Sequence, residues 1–143
     1  MPNSYVSNRV HVVFSTKNRY KTIDESLQPK LWAYLAGVAK NHGMYAVAVG
    51  GIDDHVHALI NLGATLGIAK AVQALKANSS RWMNEHLRAR FEWQEVYFAC
   101  SVSRSQVPSV IRYIASQKEH HTKMDAAGEF VLLLKRHGFD LPD

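Results

Sequence analysis

Two histidines separated by one residue, His55 and His57, are the side chains of this chain best suited to chemistry. They lie in an apolar run, 55–61, that is typical of a buried strand. Because side chains alternate along a strand, both imidazoles emerge on one face and Val56 on the other. That face would offer two neutral nitrogen ligands to one divalent cation. A histidine in an apolar strand is more often a hydrogen-bonded core residue, so this motif alone is weak.

A second segment, 108–120, has helical periodicity and places Tyr113 and Gln117 side by side, four residues apart. Tyrosine can be a covalent nucleophile, but its ordinary pKa near 10 leaves it protonated at neutral pH. A divalent cation that polarises a phosphodiester would make phosphorus a better target for this weak nucleophile. The histidine pair and the Gln117 amide oxygen would suit Mg²⁺ or Mn²⁺ and leave coordination positions open. Taken singly, Tyr113 and Gln117 are more commonly edge and solvated residues of an amphipathic helix.

The order of predicted elements defines the fold that must position these residues. The predicted strands are 10–15, 45–49, 55–61 and 96–102. The first predicted helix begins between residues 24 and 28 and ends at 42, and the others are 66–87, 108–120 and 130–135. This order predicts an α+β, ferredoxin-like split β-α-β fold: an antiparallel sheet with helices on one face, followed by C-terminal helices. No linker, repeat or low-complexity tract interrupts the sequence, so we expect one domain, 1–143. Because this fold has many unrelated functions, the fold leaves the function open.

Composition restricts the partners and the compartment. The chain has 143 residues, and its 17 Lys and Arg against 12 Asp and Glu give a formal charge of +5. This balance favours a polyanionic partner, although a mildly basic soluble protein would look the same. The single cysteine, Cys100, excludes an internal disulfide framework and fits a cytoplasmic protein. No apolar stretch reaches the roughly 20 residues of a membrane span, and no signal peptide is evident, so we expect no membrane partner.

Basic residues that could follow a DNA backbone occur in two groups, around the first strand and along the second long helix. The predicted DNA-binding residues are Arg9, Lys17, Arg19, Lys70, Lys76 and Arg81. For any one of them, a solvated surface charge is the more common role. Asp54, directly before the histidine pair, is either a turn residue or a partner that orients a histidine. His11 shows no functional pattern.

Five segments in a fixed order resemble one known family. They are 54–57 (Asp-His-Val-His), 75–82, 91–97, 101–105 and 113–121, which begins at Tyr113. Together they are similar to the single-tyrosine HUH transposases of the insertion-sequence-200-like kind. The resemblance extends from about residue 7 to residue 139 and therefore covers nearly the whole chain.

The resemblance implies a role for each matching residue. His55 and His57 correspond to the metal-binding HUH pair, Tyr113 to the nucleophile, and Gln117 to the third metal ligand. Such enzymes use a divalent metal to cut single-stranded DNA with hairpin ends, form a 5′-phosphotyrosine and release a 3′-hydroxyl. They need no nucleotide cofactor, consistent with the lack of a P-loop motif here. Members are typically homodimers in which the tyrosine helix can complete the partner's site. This chain departs from the pattern at Val96, where relatives often have glycine, and in 101–109, which lacks glycine.

Three functions from different classes remain, and the transposase is the one that we favour. The second is a domesticated protein that binds single-stranded DNA or RNA hairpins without cleavage. The third is a metal-dependent phosphodiesterase in which water, not Tyr113, is the nucleophile. Gln117 could also bond to Tyr113 or to DNA rather than to the metal. The sequence leaves open whether the site forms within one chain or between two.

Overall fold

A four-stranded antiparallel sheet in the order β2-β3-β1-β4 forms the centre of the protein. The computed structural model describes residues 4–87, 90–120 and 124–139. Its strands are β1 (Arg9–Ser15), β2 (Tyr45–Gly51), β3 (His55–Asn61) and β4 (Phe98–Ser101). Its helices are α1 (Gln28–Asn41), α2 (Ile68–His86), α3 (Val107–Ala115), α4 (Gln117–His120) and α5 (Ala126–Arg136), with 3₁₀ turns at Lys17–Arg19 and Arg104–Gln106. The predicted α+β fold is confirmed. Within the described ranges, no helix combines the length and apolar character that a membrane span requires.

One face of the sheet and helices α1 and α2 enclose the main core. Alternate residues of the two central strands point into it, including Phe14 of β1 and Val56 of β3, at 1% and 0% exposure. Leu35 of α1 and Leu75 of α2 pack against them, each 1% exposed. Because side chains alternate along a strand, the residues between these core positions face the opposite side of the sheet. On β3, those residues include both histidines.

The C-terminal helices cover that opposite face, for which the sequence predicted no covering element. Val13 of β1 and Phe98 of β4 form a second, smaller apolar cluster with Leu133 of α5. Helix α3 packs beside this cluster against β2 and β3. The histidines of β3 are therefore enclosed between the sheet and a second helical layer.

Each predicted helix differs from the structure by at least one residue at a bound, and two of these differences affect the site. The predicted helix 108–120 is interrupted at Ser116, whose φ of −100° and ψ of 20° separate α3 from α4. The last helix begins at Ala126 and not at residue 130, because the Asp125 side chain caps it by accepting from the Gly128 N–H at 2.7 Å. The apolar run starting at Phe130 concealed this earlier start. The additional first turn contains Glu129.

Gly50 allows α3 to approach β2 closely. A Cβ atom at this position would lie 2.7 Å from the backbone oxygen of Ile114 and 2.9 Å from its Cγ2. We therefore expect Gly50→Ala to lower the free energy of unfolding by about 1–3 kcal/mol, since α3 would have to move away from the sheet. Gly37→Ala is the matched control: Gly37 is an exposed residue of α1 with no atom within 4 Å of such a Cβ.

Urea unfolding of both variants measures this effect. Gly37→Ala is expected to raise the stability by about 0.5–1 kcal/mol, because alanine has the higher helix propensity. A Gly50→Ala variant as stable as the wild type would contradict the proposed closeness of α3 and β2.

Candidate metal centre and nucleophile

His55 and His57 lie on the same face of β3 and are almost fully enclosed, at 1% and 0% exposure. Each uses its Nδ1 atom for a neighbouring side chain. The His55 Nδ1 lies 2.8 Å from Asp54 Oδ1, and the His57 Nδ1 lies 2.9 Å from His11 Nε2. These contacts fix the orientation of both rings and direct their Nε2 atoms towards the C-terminal helices. Of the two interpretations of Asp54, the structure therefore favours the partner that orients a histidine.

Glu129 of α5 approaches the histidine pair from the opposite side and is 2% exposed. Its Oε1 atom lies 2.6 Å from His57 Nε2 and 3.4 Å from His55 Nε2. The sequence analysis missed this residue. A signal was present, because Glu129 precedes Leu133 by one helical turn in an apolar segment and so must share its inward face.

Gln117 completes the group from the start of α4. Its side chain is 1% exposed, and its Oε1 atom lies 3.0 Å from His55 Nε2. Its Nε2 atom donates a hydrogen bond to the Tyr113 backbone oxygen at 3.2 Å. Of the alternatives that the sequence offered for Gln117, the bond to Tyr113 is therefore present, and the Gln117 oxygen also lies beside the predicted metal-binding histidines. The interruption at Ser116 precedes Gln117 directly.

The donor atoms of this group fit a divalent cation. Ligand atoms of His55, His57 and Glu129 all lie within 4.8 Å of one another, and the Gln117 oxygen contacts the same His55 nitrogen. Ligands about 2.1 Å from an octahedral ion lie about 3 Å apart, which is close to the observed spacing of 2.6–3.4 Å. A carboxylate, an amide oxygen and two imidazoles are a donor set that Mn²⁺ and Mg²⁺ accept. A possible metal site is therefore present, with Glu129 added to the predicted ligands.

Tyr113 of α3 lies beside these donors in the same chain. Its hydroxyl donates a hydrogen bond of 2.6 Å to Glu129 Oε2. Its ring centroid is 5.4 Å from that of His57, and the two rings meet edge to face. Burial raises the pKa of Tyr113 well above its usual value, and the hydrogen bond to Glu129 raises it further. The side chain is therefore a phenol at neutral pH, held in one orientation by the carboxylate.

Burial and hydrogen bonding shift the pKa values of His55 and Glu129 in opposite directions. Burial lowers the pKa of His55, but hydrogen bonds to Asp54, Glu129 and Gln117 outweigh it and raise that pKa to about 9. Burial favours a neutral Glu129, yet hydrogen bonds from both histidines and from Tyr113 hold the Glu129 pKa well below its usual range. A negative charge is thus retained at a buried position, as a cation ligand requires.

His11 was assigned no function from the sequence, and the structure places it against the site. Burial lowers the pKa of His11 to about 3, with a further lowering by the neighbouring His57. At neutral pH the His11 ring is therefore uncharged, and it can share one proton with His57 in the contact that orients the His57 ring.

The free energy of unfolding of the metal-free protein is expected to be greatest near pH 6.5. The folded-state pKa of His11 lies below the ordinary 6.5, so its contribution is complete above pH 6.5 and is lost as the pH falls towards 3. The folded-state pKa of His55 lies above 6.5, so its contribution is complete below pH 6.5 and is lost as the pH rises through about 9. Each proton changes the stability by up to about 1.4 kcal/mol per pH unit.

Urea unfolding in EDTA between about pH 5 and about pH 10 measures this profile. The variant His11→Gln keeps a hydrogen-bonding side chain but does not titrate. It is expected to flatten the acid side of the profile and to leave the alkaline side unchanged. An acid side with the wild-type slope in this variant would contradict the assignment.

The predicted DNA-binding residues near β1 lie at opposite ends of that strand. Lys17 and Arg19 belong to the exposed turn after Ser15, and Ser15 pairs with His55 in the sheet. They therefore lie at the end of the sheet where the histidine motif begins. Lys17 forms a solvent-exposed ion pair with Glu92 at 3.1 Å. Arg9 begins β1 and thus lies at the far end.

The other three predicted DNA-binding residues belong to α2, on the face of the sheet opposite to the histidines. Lys70 and Arg81 are exposed there. Lys76 is partly buried, and its ammonium donates hydrogen bonds to the backbone oxygens of Gln94 and Glu95. Burial lowers the pKa of Lys76. The structure therefore does not bring the six basic residues into one surface, and it gives Lys76 contacts within the protein.

Comparison with known proteins gives a consistent relationship. The sequence model of the family described as "Transposase IS200 like" matches residues 4–117, which include His55, His57, Tyr113 and Gln117 but not Glu129. Over 116 residues the chain is 26% identical to the ISDra2 transposase TnpA of Deinococcus radiodurans, covering 76% of this chain and 83% of that protein.

Solved structures share the fold. A crystal structure described as a candidate transposase of Deinococcus radiodurans R1 superposes with a TM-score of 0.66 at 25% identity, covering 82% of this chain and 96% of that one. A REP-associated tyrosine transposase bound to a REP hairpin superposes with a TM-score of 0.63 at 12% identity, covering 85% and 73%, a likeness of fold. The family match spans the four described strands and both long helices of this chain. The chain therefore belongs to the IS200-like transposase family.

Proposed function

We propose that this protein is a metal-dependent DNA transposase that cleaves and rejoins single-stranded DNA through a 5′-phosphotyrosine on Tyr113. One observation carries the proposal. The two oxygens of Glu129 contact the Tyr113 hydroxyl and the His57 Nε2 atom, each at 2.6 Å. The tyrosine proposed as the nucleophile and a histidine proposed as a metal ligand therefore contact the same buried carboxylate.

The chain's own residues would hold the reacting groups in place. His55, His57, Gln117 and Glu129 would bind Mg²⁺ or Mn²⁺, which would polarise the phosphodiester and offset the charge that develops on it. Asp54 and His11 fix the two imidazole rings by their Nδ1 contacts. Glu129 also fixes the direction of the Tyr113 O–H bond. This positioning lowers the entropic cost of bringing nucleophile and phosphate together.

The proposed reaction has two successive transesterification steps. The Tyr113 Oη atom attacks phosphorus, a new Oη–P bond forms, and the bond from phosphorus to the 3′-oxygen of the preceding nucleotide breaks. The phenol proton is lost and the departing 3′-oxygen gains one proton. In the second step another 3′-hydroxyl attacks the phosphotyrosine and restores the phenol. One phosphodiester replaces another, so no nucleoside triphosphate is consumed.

The proposed substrate is single-stranded DNA with hairpin ends. The formal charge of +5 favours a polyanion. The REP-associated relative with the same fold was solved with a hairpin bound. Lys17 and Arg19 lie at the end of the sheet where the histidine motif begins and are the predicted contacts closest to that motif along the strands.

We further propose that each site is complete within one chain, even in a homodimer, because Tyr113 contacts Glu129 and His57 of its own chain. Mixing the inactive variants His57→Gln and Tyr113→Phe is then expected to restore no cleavage. A site assembled between chains would regain up to about a quarter of the activity, since mixed dimers contain one intact site. Recovery of cleavage on mixing would contradict the single-chain site.

A covalent-trapping assay tests the proposed function. The protein is incubated with labelled single-stranded DNA taken from the flanks of its own gene, in Mg²⁺ or Mn²⁺ and in EDTA. We expect a protein–DNA adduct that survives denaturing electrophoresis and appears only with the metal. Hairpin binding without an adduct in either metal would favour the domesticated binding protein instead.

A further inference from the structure

A cavity of about 560 Å³ opens beside Tyr113. It lies between the end of β4, the 3₁₀ turn at Arg104–Gln106, helix α3 and the C-terminal half of α5. Tyr113 and His11 belong to its wall. The volume falls within the range of about 300–1,000 Å³ that is typical of small-molecule sites. An occupant of this cavity would therefore contact the nucleophile.

The wall combines apolar surfaces with hydrogen-bonding groups. Val110 and Leu133 supply apolar surface, whereas Gln106, Ser103 and Ser109 supply an amide and two hydroxyls. A nucleobase has the matching character, because its faces are apolar and its edges carry donors and acceptors. Among the residues that the structure describes, the lining contains one arginine, Arg136, and no carboxylate. The charge of the cavity is therefore suited to an anionic ligand.

Helix α5 connects this cavity to the catalytic group. Glu129, Leu133 and Arg136 are spaced by four and three residues and so lie on one face of α5. Glu129 contacts Tyr113 directly, and the positive charge of Arg136 acts to lower the Tyr113 pKa. One helical face therefore carries, in order, the carboxylate that contacts Tyr113 and then the apolar and guanidinium side chains that line the cavity.

We propose that this cavity binds the nucleotide joined to the scissile phosphate, with its base between α3 and β4 and its phosphate at Arg136. The inference rests on the proposed function and deepens it, because it assigns part of the DNA recognition to protein side chains. The base leaves the single strand and enters the cavity while its phosphate stays beside the Tyr113 hydroxyl. Arg136 is a substrate-binding residue in this arrangement, since it holds the phosphate.

Binding of the four deoxynucleoside 5′-monophosphates to the full chain tests the proposal without any cleavage. Affinities are measured by titration in EDTA, and the site is located from backbone amide chemical shifts. We expect shifts in the segments 100–110 and 133–137, and binding about tenfold weaker in Arg136→Gln, which removes a charged contact. Lys135→Gln is the matched control, because Lys135 is an exposed neighbour on α5 outside the cavity lining. Its affinity is expected to equal that of the wild type.

A second variant, Ser109→Trp, fills the cavity from an exposed position of α3 and is expected to abolish nucleotide binding. Three results would overturn the proposal: inorganic phosphate binding as tightly as the nucleotides, equal losses in Arg136→Gln and Lys135→Gln, or shifts confined to other segments. No bond is cleaved in this experiment. A lack of nucleotide binding would therefore contradict the cavity proposal without contradicting the transposase mechanism. Nucleotide binding in a protein that forms no adduct would uphold the cavity and overturn the mechanism.

Discussion

Replacing Tyr113 with phenylalanine is expected to abolish the covalent protein–DNA adduct and to reduce strand cleavage by at least about 10³-fold. The substitution removes only the Oη atom, so the half-buried ring keeps its edge-to-face contact with His57. Glu129 loses one hydrogen-bond donor, which costs about 1–3 kcal/mol of stability. Denaturing gels and urea unfolding measure the two effects separately.

Tyr45→Phe is the matched control for this variant, because Tyr45 is 68% exposed on β2. It is expected to cleave DNA and form the adduct at the wild-type rate. Metal-dependent cleavage that persists in Tyr113→Phe would contradict the mechanism. That result would identify water as the nucleophile and the protein as a phosphodiesterase.

Replacing His57 with alanine is expected to weaken Mn²⁺ binding by about 10- to 100-fold or more and to reduce cleavage by a factor comparable to that of Tyr113→Phe. The substitution removes one nitrogen donor, and it also leaves the buried Glu129 Oε1 without its 2.6 Å partner. Mn²⁺ titration followed by electron paramagnetic resonance measures the affinity independently of activity. His42→Ala is the control, since His42 is exposed at the end of α1.

The alanine variant also opens space in a fully buried position, so unfolding has to be separated from loss of the metal. His57→Gln retains a polar side chain of similar length and serves as the second variant. If it folds, as judged by urea unfolding, we expect the same loss of Mn²⁺ affinity. A folded variant that binds Mn²⁺ as tightly as the wild type would contradict the role of His57.

The sequence was sufficient for features that depend on local periodicity. The bounds of β3, 55–61, were predicted as the structure has them, because turn residues before and after this short apolar run limit its length. The alternation of side chains then placed His55 and His57 on one face without knowledge of the neighbouring strands. The α+β fold with an antiparallel sheet followed from the alternation of predicted strands and helices.

Contacts between distant segments could not be derived in the same way. His11 reaches His57 because β1 and β3 pair in a register that sets Val13 opposite His57 and His11 opposite Leu59. His11 and His57 are thus diagonal neighbours on one face of the sheet. Glu129 reaches the site because α5 packs on that same face, and local periodicity does not determine which face a C-terminal helix covers.

Peptide mapping of the trapped DNA adduct tests the central claim most directly. Trypsin cleaves after Arg112 and Lys118, so it releases the segment 113–118, in which Tyr113 is the single tyrosine. Mass spectrometry of the adduct after nuclease digestion is expected to find this peptide with a 5′-linked nucleotide on Tyr113. A nucleotide on a peptide that contains another tyrosine, or metal-dependent cleavage with no modified peptide, would contradict the account.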